Sequence, residues 1–270
     1  MTNYDRVSVI VGLVLVGTVL LLVLEIPTRT FQFTPLGTPL TFNLTGNWIV
    51  SLLLVGLSCA GTEAIMRTHP LVRRRVVRYT FPDWILPALT TLALSLYLPQ
   101  SPNLLYWLLG LTLGGVLLAW LLLVNYHLLS PDDSEPALIR MGLGLVAYLL
   151  ALIFFMTIYR TRLRSLVTAT ATSLVASLIS VSLLRARGRS MRQVFLYAAV
   201  IGLIMGQTTW ALNYWQANVR TVGVLLMLLF YILTGLVREY LRKTLDRRIL
   251  VEFLSVAALG VWIILRFGPQ

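Results

Sequence analysis

Three arginines spaced two residues apart, Arg160, Arg162 and Arg164, have the type and spacing best suited to a chemical role. The planar guanidinium group donates paired hydrogen bonds to phosphate and carboxylate groups. Together with Arg220, which follows a later apolar segment, these side chains are candidate contacts for an anion or an anionic lipid. The alternative is that they are ordinary interfacial anchors whose charged ends extend to lipid phosphates.

A second polar group, formed by Gln207, Thr208 and Thr209, lies inside an apolar segment. Polar side chains are costly in lipid, so each one in a membrane span needs an explanation. Two interpretations stay open. The three side chains either form interhelical hydrogen bonds at a packing seam or line a polar path for a solute.

Acidic and histidine side chains make up a third group, and all of them lie near the ends of apolar segments: Glu63, His69, Asp83, His127 and Glu252. Carboxylates beside histidine could relay protons or hold a metal ion. Their spacings match no recognised motif, so solvated helix ends are the preferred interpretation.

No stretch of the sequence indicates a catalytic, cofactor-binding or metal site, and we expect no cofactor. Cys59 would be a nucleophile only beside a group that lowers its pKa, so we expect an inert buried thiol. One cysteine and two histidines exclude a disulfide framework and a Cys/His zinc site. Lys243 is the one lysine and lies in a polar linker, which excludes a Schiff base within the bilayer.

The composition of the chain indicates that the helices carrying these groups lie in lipid rather than in water. The chain is 58% hydrophobic and 12% charged, whereas a soluble domain is about one quarter charged. The apolar runs are about twenty residues long, which predicts an α-helical membrane bundle rather than a β-barrel. The net charge of +12 comes from 21 arginines and one lysine against ten acids, which favours anionic membrane lipids as partners and requires no nucleic acid.

Nine transmembrane helices are predicted within a single membrane domain covering 1–270. The chain is too short to hold a soluble domain as well. The predicted spans are 7–24, 47–66, 81–98, 104–126, 137–159, 165–184, 194–214, 221–236 and 249–265. Between the first two spans, alternating apolar and polar residues around a Pro-rich turn predict an outer β-hairpin over 30–45.

Small residues recur at helical spacing along several spans and predict close helix packing. The clearest ribbon lies in the sixth span, and a matching row occurs in the seventh span at Ala198, Gly202 and Gly206. Further packing faces are predicted around the following glycines: Gly56, Gly61, Gly110, Gly114, Gly115 and Gly144.

Two local contacts are also predicted near the second and third spans. Glu63 lies four residues before Arg67, so the two side chains can pair on one helix face. Thr80 with Asp83 three residues later resembles a helix-start box.

The distribution of basic residues predicts the orientation. If all nine spans cross and the N-terminus is cytoplasmic, 16 Lys and Arg residues face the cytoplasm and 6 face outward. The excess favours that orientation, with the C-terminus outside, in a bacterial-type inner membrane. Arg160, Arg162 and Arg164 then lie outside, against the trend.

These features lead to three functional hypotheses. The first is a non-enzymatic permease or lipid-handling protein for an anionic or amphipathic solute. The second is a structural or assembly subunit of a larger membrane complex, which the small-residue seams favour, with protein partners or a homo-oligomer within the membrane. The third is a membrane-embedded enzyme that uses the inner acids and histidines.

Overall fold

The computed structural model describes residues 3–23, 29–33, 40–44, 46–73, 79–128, 137–161, 165–185, 190–214 and 218–242, together with Val251, Ser255, Ala258, Gly260 and Trp262. The long elements in these ranges are all helical. Contacts divide the chain into two compact units, Met1–Ile139 and Arg140–Gln270, called unit 1 and unit 2 below.

Unit 1 contains four long helices, one short helix and two strands. In chain order they are α1 (Asn3–Val23), β1 (Arg29–Phe33), β2 (Leu40–Leu44), α2 (Gly46–Met66), α3 (Pro70–Arg73), α4 (Phe81–Tyr97) and α5 (Leu104–His127). A 3₁₀ turn, Leu98–Gln100, follows α4. Unit 2 contains α6 (Ala137–Arg160, which begins just before the unit boundary), α7 (Ser165–Leu184), α8 (Met191–Asn213) and α9 (Val219–Arg242).

Eight of these helices are long and apolar enough to cross a membrane, within the part of the chain that the structure describes. The protein is therefore a multi-pass membrane protein. Span bounds agree with the sequence prediction to within about four residues, except that α9 runs to Arg242 rather than to position 236. Positions 237–242, which follow the predicted end of the eighth span, are therefore helical, because their apolar residues continue the helical spacing of α9.

The predicted ninth span, 249–265, falls mostly outside the described residues. The five described positions within it, from Val251 to Trp262, are all helical. Gly260 packs against α9, since a Cβ atom there would lie 2.5 Å from a methyl carbon of Leu228.

Strands β1 and β2 pair antiparallel, with Phe31 opposite Phe42 and Phe33 opposite Leu40. They occupy the region in which the hairpin was predicted. The turn at 34–39 lies outside the described residues, and the position of the hairpin on the outer face stays a prediction.

The core of unit 1 lies where α1, α2 and α5 converge. Apolar side chains from the first half of α1 pack against the last turns of α2 and α5 in one buried cluster: Val7, Val11, Val14, Ile65, Leu118 and Leu122. The start of α1 and the ends of α2 and α5 therefore share one end of the unit.

Unit 2 is built around the antiparallel pair α7 and α8. The Cβ of an alanine at Gly202 would collide with Ser177 Oγ and lie 2.5 Å from the carbonyl oxygen of Ser173. At Gly206 the same atom would lie 2.9 Å from the carbonyl oxygen of Ala169. The small-residue seam predicted for these two helices is confirmed, and glycine is required because the backbones approach this closely.

Other predicted packing faces are confirmed only in part. Gly61 and Gly115 pack against Ile10 and Leu15, and Gly114 packs against Leu94. Gly56 is exposed on α2 with no described atom within 4 Å of its Cβ position, so its assignment to a packing face was wrong. Gly144 also has no described neighbour within 4 Å, whereas Ala147 and Ala151, predicted on the same face, are fully buried. In lipid an apolar outward face is as favourable as a packed one, so small size alone does not identify the packed side.

Candidate functional site

The candidate anion site lies at the end of unit 2 where α6 and α8 end and α7 and α9 begin, called the Arg160 end below. The Tyr159 hydroxyl of α6 donates a hydrogen bond to the carbonyl oxygen of Leu212 at 3.1 Å. The Asn213 side-chain amide donates to Thr168 Oγ1 at 2.7 Å. The end of α8 is therefore fastened to α6 and α7 by polar contacts.

Helix α9 begins at the same end. A Cβ atom at Gly223 would meet the side chain of Met156, and the rings of Phe155 and Phe230 pack edge to face with centroids 5.6 Å apart. The first turns of α9 thus run beside the last turns of α6. The ends of α6 and α8 and the starts of α7 and α9 therefore meet at this end of unit 2.

Two of the four candidate arginines are described, and both are exposed at the Arg160 end. Arg160 is the last residue of α6 and Arg220 is the second residue of α9. Arg162 and Arg164 lie outside the described residues. Tyr214, which follows α8, is 78% exposed, and Trp210 Nε1 donates to its hydroxyl oxygen at 3.4 Å.

Electrostatics distinguish the two described arginines. A cation in the last turn of a helix interacts favourably with the helix dipole, which accounts for Arg160 without any ligand. Arg220 is in the first turn of α9, where the dipole favours an anion instead. The charge of Arg220 therefore destabilises α9 slightly, and its guanidinium group adds hydrogen-bond donors beside the positive end of the helix dipole.

Gln207, Thr208 and Thr209 are not brought together into one polar face. Gln207 is exposed on α8, whereas Thr209 is buried. The Thr208 and Thr209 hydroxyls donate to the carbonyl oxygens of Ile204 and Met205 in their own helix, each at 2.8 Å. Within the described residues, these two hydroxyls are satisfied locally rather than by a neighbouring helix.

A different polar cluster forms at the end of unit 1 where α2 ends and α4 begins. The Glu63 carboxylate accepts hydrogen bonds from Thr80 Oγ1 at 2.6 Å, Trp84 Nε1 at 3.0 Å and Arg67 Nε at 2.7 Å. The predicted Glu63–Arg67 pair is confirmed. The helix start at Thr80 is also confirmed, but its side chain makes no capping hydrogen bond to α4, because the hydroxyl is given to Glu63.

Asp83 is buried in the first turn of α4, and its carbonyl oxygen accepts a hydrogen bond from the Asn125 amide at 3.0 Å. Asn125 was not among the candidates, nor was Asn213, although an amide within an apolar span is itself a signal of a buried polar contact. These two residues supply interhelical bonds that the sequence spacing did not suggest.

The two histidines lie at the same end of unit 1. His69 is buried, and its ring packs edge-on against Tyr126 with centroids 4.9 Å apart. Its Nδ1 atom accepts a hydrogen bond from the backbone N–H of Leu71 at 3.3 Å, which requires an unprotonated Nδ1. Burial, with a smaller contribution from the nearby His127, lowers the pKa of His69 below its ordinary value.

The described candidates of unit 1 make contacts at helix ends, and two of them, Asp83 and His69, are buried rather than solvated as expected. Among the described residues, no group of three or more His, Cys, Asp or Glu side chains is placed to hold a metal ion. Glu252 lies outside the described residues. Cys59 is half-buried on α2 and in the reduced form.

A family model matches residues 26–267, which is most of the chain and spans both units. The chain belongs to the family described as "Protein of unknown function (DUF5656)". No curated protein and no solved structure matches it. Membership of the DUF5656 family thus assigns the chain to a group of sequences without attaching a reaction or a ligand to the Arg160 end.

Proposed function

We propose that the protein is a non-enzymatic permease or lipid-handling protein of a bacterial-type inner membrane, acting on an anionic or amphipathic solute. The Arg160 end of unit 2 receives the anionic group. Arg160, Arg162, Arg164 and Arg220 supply the positive charge, and exposed Tyr214 supplies an amphipathic ring at the level of the headgroups.

The observation that carries this proposal is the position of Arg220. A cation in the first turn of a helix costs about 0.3–1 kcal/mol relative to an acid there. No acid occupies the first turn of α9, and Arg160 is exposed at the same end. An anion bound between them offsets both the dipole and the repulsion among the arginines.

The proposed orientation places the N-terminus in the cytoplasm and the Arg160 end outside. It rests on 16 basic residues on one side against 6 on the other. With this orientation, the arginines of the Arg160 end are exceptions to the charge rule, and a bound anion compensates for their position.

A structural subunit of a larger complex is the second candidate, and it ranks lower because most small-residue seams are filled internally. Gly202 and Gly206 pack against α7, Gly114 packs against α4, and Gly115 packs against α1. Gly56 and Gly144 alone among the predicted packing glycines leave open surface for another chain, within the described residues.

Transbilayer movement in proteoliposomes tests the proposal. We expect the protein to accelerate exchange of a fluorescent phosphatidylglycerol, measured by dithionite quenching, more than exchange of the zwitterionic phosphatidylcholine analogue. A parallel assay follows efflux of an entrapped organic phosphate, which separates a lipid headgroup from a soluble anion as the source of the phosphate. The double variant Arg160→Gln, Arg220→Gln is expected to slow the accelerated movement about tenfold.

The matched control is Arg6→Gln, Arg67→Gln, which removes the same charge from unit 1. It should retain the wild-type rate. Equal rates for wild type, both variants and protein-free vesicles, together with a stoichiometric protein partner in mild detergent, would replace this proposal with the subunit alternative.

A further inference from the structure

The positive charge of the protein is not shared between its two units. Positions 1–139 contain seven Lys and Arg residues against seven Asp and Glu residues, so unit 1 is formally neutral. Positions 140–270 contain fifteen basic residues against three acidic ones. The whole excess of +12 therefore belongs to unit 2.

Most of the described arginines of unit 2 lie opposite the Arg160 end. The Tyr148 hydroxyl in the middle of α6 bonds to Thr234 Oγ1 of α9 at 2.9 Å, and Met156 of α6 meets Gly223 of α9. The two helices therefore run antiparallel, so α6 starts at the end of unit 2 where α9 finishes. The rings of Tyr197 and Tyr240 pack edge to face with centroids 5.9 Å apart, which brings the start of α8 to the same place. The arginines gathered there, called the basic rim, are Arg140, Arg185, Arg192, Arg238 and Arg242.

The sequence of unit 2 contains few acids beside its arginines, since positions 140–270 hold three Asp or Glu residues. Glu239 is the one acid in the described helices of unit 2, and its carboxylate pairs with Arg242 at 3.3 Å. That arginine is exposed, so the pair is screened and contributes little. Unit 2 therefore carries far more basic than acidic residues, and five of its described arginines lie at this end.

Helix dipoles add to this charge. Helices α6 and α8 begin at the basic rim, and neither has an acid in its first turn. Arg140 and Arg192 occupy those turns instead, and both are exposed. In unit 1, by contrast, the first turns of α1 and α4 carry Asp5 and Asp83.

We propose that the basic rim binds anionic phospholipid headgroups of the leaflet that it faces. The rim lies at the ends of membrane-crossing helices, where lipid phosphates are the nearest abundant anions. The pair Tyr197 and Tyr240 places amphipathic aromatic rings among the arginines, as is usual at the headgroup level. This surface is at the opposite end of unit 2 from the proposed solute site and does not depend on it.

Lipid retention at equilibrium tests this inference. The full chain is reconstituted in nanodiscs that contain equal amounts of phosphatidylglycerol and phosphatidylcholine, then released for native mass spectrometry. We expect wild-type protein to retain phosphatidylglycerol preferentially, and we expect salt to reduce that preference. Each rim arginine removed should lower the retention of phosphatidylglycerol about fivefold.

The test variant is Arg192→Gln, Arg242→Gln, and the matched control is Arg6→Gln, Arg67→Gln in unit 1, outside both the basic rim and the proposed solute site. Loss confined to the first variant supports the rim, and Arg192→Lys, Arg242→Lys should restore most of the retention. Equal loss in both Gln variants, unchanged retention, or equal binding of the two lipids by wild type would overturn the inference. If the Gln variant does not fold, the salt dependence of wild type and of the Lys variant decides.

The outcome is separable from that of the proposed function. Retention is an equilibrium quantity that changes with Arg192 and Arg242, whereas transbilayer movement is a rate that changes with Arg160 and Arg220. A rim that binds anionic lipid in a protein that moves none would leave the present inference standing and remove the proposed function.

Discussion

The hydroxyl of Thr80 donates its hydrogen bond to Glu63, seventeen residues earlier in the chain, instead of capping the helix that it precedes. The carboxylate that it reaches also accepts from Trp84 and Arg67. One side chain at the end of α2 therefore holds the start of α4 across the arginine-rich connection between them.

Removing this carboxylate should loosen unit 1. Glu63→Ala deletes three hydrogen bonds to a side chain that is 19% exposed, and we expect the free energy of unfolding to fall by about 2–3 kcal/mol. Thr80→Val should cost about 1 kcal/mol, while Thr80→Ser, which keeps the hydroxyl, should be close to neutral. Denaturant unfolding in detergent micelles measures all three.

The control for the Glu63 series is Thr112→Val. Its exposed hydroxyl bonds only to the carbonyl oxygens of Leu108 and Leu109 in its own helix, so its loss should change stability little. A Thr80→Val variant as stable as Thr112→Val would show that the contact between Thr80 and Glu63 contributes nothing.

A methyl group added at Gly202 should separate α7 from α8. The Cβ atom would collide with Ser177 and Ser173, and overpacking of this kind costs about 1–3 kcal/mol. Gly56→Ala is the matched control, because that glycine is exposed on α2 with nothing within 4 Å of the added carbon. It should be neutral or stabilise by up to about 1 kcal/mol. If Gly202→Ala and Gly56→Ala change the thermal midpoint of unfolding equally, the close packing of α7 and α8 at Gly202 is contradicted.

Acidification should destabilise unit 1 through His69. The pKa of His69 is lowered in the folded protein, so the unfolded chain binds the proton first as the pH falls. Stability should therefore be highest above the ordinary histidine pKa of 6.5 and should decline as the pH drops from there towards the folded pKa. Protonation of Nδ1 would also abolish its bond from the Leu71 N–H.

Unfolding measured between about pH 8 and about pH 5 tests the role of His69. His69→Gln should flatten the decline, whereas His127→Gln, which changes an exposed residue, should keep most of it. If the stability of His69→Gln falls with pH as steeply as that of wild type, His69 is not the group responsible.

Labelling of single cysteines tests the orientation. In a Cys59→Ser background, Asn103→Cys should react with an impermeant maleimide in intact cells, because the connection between α4 and α5 is predicted outside. Tyr79→Cys lies in the basic connection before α4 and should react only after the membrane is opened. Both native residues are exposed, so access does not limit either reaction. The reverse pattern would invert the predicted topology.

Contacts within one helix were accessible from the sequence, whereas contacts between distant helices were not. The Glu63–Arg67 pair follows from a spacing of four residues. The bond from Asn125 to Asp83 spans 42 residues and follows from no local pattern. The packing seam predicted at Gly202 and Gly206 was correct because a complementary row of small residues occurs in the adjacent helix.

The error at Gly56 has a physical cause. A helix of a soluble protein has a polar outer face, so its sequence shows which side is packed. A membrane helix is apolar on both its lipid-facing and its packed side, and that contrast is lost. The candidate site was limited in the same way, since Arg162 and Arg164 could be singled out by type and spacing but not placed.

The close approach of α7 and α8 bears on how the chain is made. A six-residue connection separates the two helices, and the atoms nearest a Cβ at Gly202 belong to α7. Because synthesis proceeds from the N-terminus, both helices are complete before α9 has left the ribosome. The pair can therefore enter the bilayer as an assembled hairpin, and α9 then joins helices already in place, with Phe230 settling against α6.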